Sequence, residues 1–139
     1  NQAWNKGNRE KKAPNIAEMI NHFNHISNVI ATEILMIEKG KDKERAKMLG
    51  KVIELGQKCH DLHNYNALFA IIGGLNTASI ARLHKTWDAL PEERKKQYDF
   101  LFALISRDNN FKAVRQIIKH VKPPCIPYIG LYLTDLTFV

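Results

Sequence analysis

The sequence has few of the residues that mark a disulfide scaffold, a membrane protein or a disordered chain. Its 139 residues include only two cysteines, Cys59 and Cys125, which is too few for a disulfide framework, so we expect two reduced thiols. No apolar run approaches the roughly 18 residues that a membrane-spanning helix needs. Hydrophobic residues make up 45% of the chain, a share typical of a globular core. One folded domain is therefore expected.

Motifs for covalent catalysis are also missing from the sequence. We find no Gly-rich phosphate loop, no serine nucleophile elbow and no HExxH zinc motif. The pairs His22/His25 and His60/His63 each sit three residues apart, and two such pairs would in principle hold Zn²⁺. However, no carboxylate stands where it would obviously orient them. We interpret these histidines as polar residues beside apolar stripes, and expect no metal, no cofactor and no catalytic residue in the covalent sense.

The positive charge is spread along the chain rather than concentrated. There are 21 Lys and Arg residues against 14 Asp and Glu, for a formal net charge of +7. Nucleic-acid binding needs basic residues gathered on one surface, often with aromatic rings for stacking. Here most basic residues have acidic neighbours, as in the run 41–45, which is typical of solvated helix faces. We expect no nucleic-acid partner, although a basic helical nucleic-acid binder remains an alternative.

Apolar residues recur at steps of three and four along most of the chain, which predicts an all-α fold of about six helices. The polar residues 1–13 are interpreted as a lead-in. Residues 125–139 are predicted to be extended or irregular, yet apolar enough to be buried. The predicted helices cover residues 14–40, 42–62, 64–75, 79–83, 91–107 and 111–121.

Three segments are distinctive in their order and spacing: Leu62 to Asn76, Arg82 to Trp87 and Pro123 to Phe138. Together they resemble the catalytic domain of guanine nucleotide exchange factors for Ras-family GTPases, the RasGEF domain of the Son-of-sevenless and RasGRF type. The segment from Phe23 to Leu35 is similar to the first conserved region of that family, and the likeness begins as early as Ala3. The resemblance implies an all-helical domain that accelerates GDP release without covalent chemistry.

In this family a hydrophobic surface binds the switch 2 segment of the GTPase, including a tyrosine that enters an apolar pocket. The resemblance places the pocket on apolar and aromatic residues, which are good anchors for a buried ring. These positions are Ile20, Phe69, Phe111 and Tyr128. It places Asn76 at a polar position near switch 2, where an amide donates and accepts at once. Asn21, where some members carry Arg, completes the expected GTPase-binding set.

The residue pattern alone gives a second interpretation of part of this set. Phe69 lies in a continuous apolar run, and Ile20 and Phe111 lie on helical stripes, so all three are typical of core positions. Packing demands less of Tyr128, which follows a proline, and of Asn76, which follows the apolar run. These two are therefore the more distinctive binding candidates.

The implied partner is a Ras-family small GTPase, namely Ras, Rap or Ral. Such GTPases carry lipid anchors, so the resemblance implies a cytoplasmic protein recruited to the inner membrane face without inserting into the bilayer. An exchange-inactive interaction or scaffold module of the same fold is the alternative.

The chain ends at Val139, before the acidic loop, the helical hairpin that displaces switch 1 and the closing helices that the family carries. The resemblance thus implies a partial RasGEF domain over residues 1–139. We expect these 139 residues alone to have little exchange activity. Release of fluorescent GDP from Ras, Rap and Ral measures this directly, and exchange at the rate of an intact exchange factor would contradict it.

Overall fold

Helices form the regular structure of residues 2–5 and 7–139, which this computed structural model describes. Within these residues, a 3-10 turn at Ala3–Asn5 precedes nine α-helices. Asn1 and Lys6, which belong to the predicted lead-in, lie outside the described residues. The helices are α1 (Arg9–Lys12), α2 (Pro14–Leu35), α3 (Asp42–Asp61), α4 (Tyr65–Leu75), α5 (Ala78–Ala81), α6 (His84–Asp88), α7 (Glu92–Leu104), α8 (Asp108–His120) and α9 (Ile129–Thr137).

Helix α4 lies at the centre of the fold, packed between α2 and α3. It begins where the Asn64 side chain caps it, with Oδ1 accepting from the Ala67 amide at 3.1 Å, as expected for an N-cap asparagine. Its apolar residues are buried nearly all round, which is why the sequence shows a continuous run there rather than a stripe. The fully buried members include Leu68, Ala70, Ile72 and Leu75.

One hydrogen bond and a glycine bring α4 very close to α2. Ser27 Oγ donates to the Ala70 carbonyl at 2.7 Å. A Cβ on Gly74 would lie only 2.7 Å from the Ser27 carbonyl oxygen, whereas a Cβ on Gly73 would meet nothing within 4 Å. Gly74 therefore allows the backbones of α2 and α4 to pack closely.

Residues 125–128 form a short strap before α9, and the backbone of this strap is bound to the beginning of α4. The Ile126 carbonyl accepts from the amides of Tyr65 at 2.8 Å and Asn66 at 3.3 Å, and the Ile126 amide donates to His63 O at 2.9 Å. The Asn66 side chain also accepts from the Ile129 amide at 3.4 Å. The strap therefore satisfies amides at the start of α4 that have no partner within the helix.

The structure confirms the all-α fold class, and every predicted helix has a counterpart. Three further helices, α1, α6 and α9, lie outside the predicted six. The expectation of extended or irregular structure over 125–139 was wrong for α9. Its apolar residues stand at positions 129, 131, 132, 133 and 136, so their spacing shows no clear helical period.

The expected burial of that segment was also wrong for several side chains. Leu131 is buried, whereas Tyr132, Leu136 and Phe138 are exposed. A helix lying on a surface turns only one face towards the core, so the apolar side chains on its other faces stay exposed to solvent.

The glycine pair in α4 allows a matched test of the close approach between α2 and α4. Gly74→Ala should lower the free energy of unfolding by about 1–3 kcal/mol, because backbone must move to admit the methyl group. Gly73→Ala should instead raise it by about 0.5–1 kcal/mol through helix propensity. Urea denaturation of both variants measures the difference, and equal stabilities would contradict the packing described here.

Candidate functional site

An aromatic groove of about 520 Å³ lies where α2, α4, the α7–α8 connection and the strap meet. Phe69 of α4 and Tyr128 of the strap stack with ring centroids 4.1 Å apart and planes 11° apart. Phe111 lies 5.9 Å from Phe69 and 6.2 Å from Tyr128, and Phe23 of α2 lies 5.5 Å from Tyr128. Four elements thus each contribute one ring to the walls.

Tyr128 is held in the wall by the chain on both sides of it. The strap fixes its backbone next to α4, and α9 begins at the following residue. A Cβ on Gly130 would overlap the Tyr128 ring, so the absence of a side chain there lets the ring fold back over the first turn of α9. Burial raises the pKa of Tyr128, and the nearby charge of Arg107 lowers it by a smaller amount.

Phe111 enters the groove from an unusual backbone. Asn109, Asn110 and Phe111 have φ angles of 50°, 56° and 58°, so the first turn of α8 is left-handed. This conformation costs L-residues roughly 1–2 kcal/mol each, although asparagine tolerates it better than most. The predicted interruption between residues 107 and 111 is therefore a reversal of helical hand. It aims Phe111 at Phe69, and Phe111 is buried there.

The rim of the groove is polar. Asn76, the C-cap residue of α4, is exposed and lines one end of the groove together with Gly73. The groove is also lined by Ser106 and Arg107 of the α7–α8 connection and by Asp108, the first residue of α8. An apolar floor with a polar rim is the usual anatomy of a site that takes one protein side chain and holds its backbone around it.

Four residues of the expected GTPase-binding set, Phe69, Asn76, Phe111 and Tyr128, line the same groove. Ile20 lies in an adjoining depression of about 470 Å³ that also touches Phe111 and Tyr128. It therefore approaches the same aromatic wall from the side opposite Asn76. Asn21 follows Ile20 on α2 but is exposed, and it belongs to the lining of neither the groove nor the depression.

Sequence reasoning missed seven lining residues, among them Phe23, Phe102 and Arg107. Phe102 sits on the apolar stripe of α7, yet it is 42% exposed. In α7 the buried positions are Leu101 and Leu104, so the stripe is wider than the surface that the core covers. The sequence signal that could have identified Phe102 is its position at the edge of an apolar stripe that is wider than one buried helix face.

Within residues 2–5 and 7–139, no group of three or more His, Cys, Asp or Glu side chains is placed to hold a metal ion. Cys59 and Cys125 are free thiols. In the part of the chain that the structure describes, no helix is both long and apolar enough to cross a membrane. The arrangement suits the binding of an aromatic or large apolar side chain.

Comparison with known proteins gives a consistent assignment. The profile of the RasGEF domain family matches residues 1–139. The chain is 41% identical over 138 residues to "Ras-specific guanine nucleotide-releasing factor 1" of Rattus norvegicus. It is 43% identical over 140 residues to "Ras guanine nucleotide exchange factor E" of Dictyostelium discoideum. Each alignment covers 99% of this chain but only 11% and 13% of those proteins, respectively.

The raised pKa of Tyr128 predicts a loss of stability at alkaline pH. Burial favours the neutral phenol in the fold, and the pKa values of Tyr65 and Tyr98 are raised for the same main reason. The unfolded chain therefore releases these protons first, at about pH 10. Stability is fully present below that pH, and the free energy of unfolding falls as pH rises above it.

The variant Tyr128→Phe should lose less stability than the wild type between about pH 8 and about pH 11, because it lacks one of the groups whose pKa the fold raises. Urea denaturation at both pH values measures the two losses. Equal losses would show that Tyr128 titrates alike in the folded and unfolded chains.

Proposed function

This chain belongs to the RasGEF family, and on that premise we propose that it is a guanine nucleotide exchange factor segment that binds a Ras-family GTPase through the aromatic groove. The observation that carries the proposal is the convergence of Phe69, Phe111 and Tyr128 on one cavity with Asn76 at its edge. The chain spans only about an eighth of the length of those two relatives. We therefore also propose, rather than take as given, that the whole protein acts as an exchange factor.

The groove would take a tyrosine from the switch 2 segment. The stacked Phe69 and Tyr128 rings form one wall and the inclined Phe111 ring another, so an entering ring meets both a face and an edge. Each such aromatic pair contributes about 0.5–1.5 kcal/mol beyond the apolar area that it buries. Ile20 would extend this apolar surface on the far side of Tyr128.

Asn76 would fix the backbone of the bound segment. Its amide donates and accepts simultaneously, and its exposure at the end of α4 leaves it accessible to a partner. Asn21, which is exposed beside Ile20, would contribute at the periphery of the interface, where single contacts add little affinity.

Exchange then follows from linkage and needs no covalent step. A protein that binds the nucleotide-free GTPase more tightly than the nucleotide-bound form must weaken nucleotide affinity by the same factor. Each tenfold preference corresponds to about 1.4 kcal/mol of groove binding energy that is available only to the empty GTPase. GDP leaves faster, and GTP rebinds as the exchange factor is displaced.

We further propose that the partner is Ras, Rap or Ral, and that binding places this chain at the inner membrane face. This follows from the lipid anchors of those GTPases, and it requires no membrane insertion by the chain itself.

Binding measurements with nucleotide-free and GDP-loaded Ras, Rap and Ral test the proposal. The wild-type chain should prefer the nucleotide-free form of at least one of them. Asn76→Ala should weaken that binding about fivefold to thirtyfold, because the bound segment loses a side-chain amide that both donates and accepts, and Tyr128→Ala by at least as much, because it removes one aromatic wall.

The control is Phe100→Ala, which removes an aromatic side chain that is also exposed, at 52%, but that contacts His60 instead of the groove. Its affinity for the GTPase should match the wild type. Equal affinity for nucleotide-free and GDP-loaded GTPases, or equal losses in Phe100→Ala and Asn76→Ala, would contradict the proposed function.

A further inference from the structure

We propose that Arg115, which lines neither the groove nor the adjoining depression, is a positioning residue that sets the separation of Phe111 and Tyr128. The inference rests on the proposed function of the groove. Arg115 lies on α8, and its guanidinium contacts the left-handed first turn of α8, which carries Phe111, and the last turn of α9, which begins directly after Tyr128. Breaking these contacts should therefore weaken GTPase binding although Arg115 itself touches no partner.

The first contact joins α8 to α9. Arg115 Nη1 donates to Asp135 Oδ2 at 2.9 Å, and Nη2 donates to Asp135 Oδ1 at 2.7 Å. Two parallel bonds of this kind fix the orientation of both side chains as well as their distance. The hydrogen bond from Arg115 lowers the pKa of Asp135, so the carboxylate is ionised throughout the neutral range.

The second contact holds the left-handed turn. Arg115 Nε donates to the Asn110 carbonyl at 2.8 Å, and Nη2 reaches the Asn110 side-chain oxygen at 3.3 Å. Asn110 is the middle residue of the turn, and Phe111 follows it directly. A turn in an unfavourable backbone region persists only where its surroundings hold it. Arg115 supplies two of those restraints.

Helix α9 transmits the Asp135 contact to Tyr128. It begins directly after Tyr128, its first turn carries Gly130 under the Tyr128 ring, and Leu131 anchors it in the core. Holding its last turn to α8 at Asp135 fixes the tilt of the helix about the Leu131 anchor. One guanidinium therefore restrains the Phe111 wall through the turn and the Tyr128 wall through α9.

Lysine cannot replace arginine in this arrangement. The planar guanidinium makes four hydrogen bonds from three nitrogen atoms to Asn110 and Asp135. A lysine ammonium is a single charged group on a side chain of different length, so it cannot make the same set of bonds. Arg115→Lys keeps the charge and loses the fork. It should therefore behave more like Arg115→Gln than like the wild type.

The test measures affinity for whichever nucleotide-free GTPase binds the wild-type chain, alongside the melting temperature. Arg115→Gln should weaken binding by about tenfold, comparable with the loss of one direct interface contact. The matched control is Arg94→Gln, which breaks the ion pair of Arg94 with Glu54 between α7 and α3. The Arg94 side chain is 31% exposed against 27% for Arg115. The control should lose stability and keep its affinity.

A double-mutant cycle separates positioning from general destabilisation. If Arg115 acts through the Phe111 wall, Arg115→Gln should cost much less affinity in a Phe111→Leu background than in the wild type. Additive losses would overturn the proposal, as would an Arg115→Gln affinity equal to that of the control.

NMR of the chain alone tests the positioning role of Arg115 without any GTPase. Ring-proton NMR shifts of Phe69, Phe111 and Tyr128 report their mutual stacking. They should change in Arg115→Gln and stay constant in Arg94→Gln. Unchanged shifts in Arg115→Gln would overturn the positioning role. A wild-type chain that binds no GTPase would overturn the proposed function, while the ring shifts would still decide the role of Arg115 within the fold.

Discussion

The close contact between α2 and α4 is the constraint on which the rest of this structure depends. Gly74 lets the α4 backbone lie against the Ser27 carbonyl, and Ser27 Oγ holds the Ala70 carbonyl on the neighbouring turn. Since α4 also packs on α3, its position is fixed on two sides. Phe69 projects from this fixed helix, so one wall of the aromatic groove has the rigidity of the core. The remaining walls are arranged around it.

Two of those walls, Phe111 and Tyr128, come from irregular backbone, and this division is physically sensible. A site that receives a foreign side chain needs rings in orientations that one helix cannot offer, because successive positions on a helix diverge by a fixed angle. The left-handed turn at residues 109–111 and the strap before α9 supply the other orientations. Both require external restraint, which the Arg115 guanidinium and the start of α4 provide. The rigid helix α4 and the two restrained irregular segments together form a preorganised site, which lowers the entropy cost of binding.

The sequence revealed the helical fold because helical periodicity is a local property. The stripes of α2, α3 and α8, and the apolar run of α4, needed no tertiary information. The short helices α5 and α6 and the apolar α9 gave weaker signals, since four to nine residues barely define a period. The burial predicted for α9 was wrong because one helix face suffices to anchor it at Leu131. Exposure of the other faces depends on which elements lie nearby.

The groove itself was accessible only partly from sequence. The family resemblance brought Phe69, Asn76, Phe111 and Tyr128 into one set, whereas the pattern alone would have left Phe69 and Phe111 in the core. The structure gives a reason for that ambiguity: Phe69 and Phe111 are buried and still line the groove. Phe102 and Arg107 were missed because their role depends on the α7–α8 connection. No local pattern encodes the Arg115–Asp135 contact, which spans 20 residues.

The strap at Ile126 has a consequence for how this family can diverge. Its amide and carbonyl make three backbone hydrogen bonds to residues 63–66, while its side chain is 53% exposed. Any residue except proline can make the same backbone bonds. Substitutions at position 126 can therefore change the outer surface while the neighbouring Tyr128 stays in register.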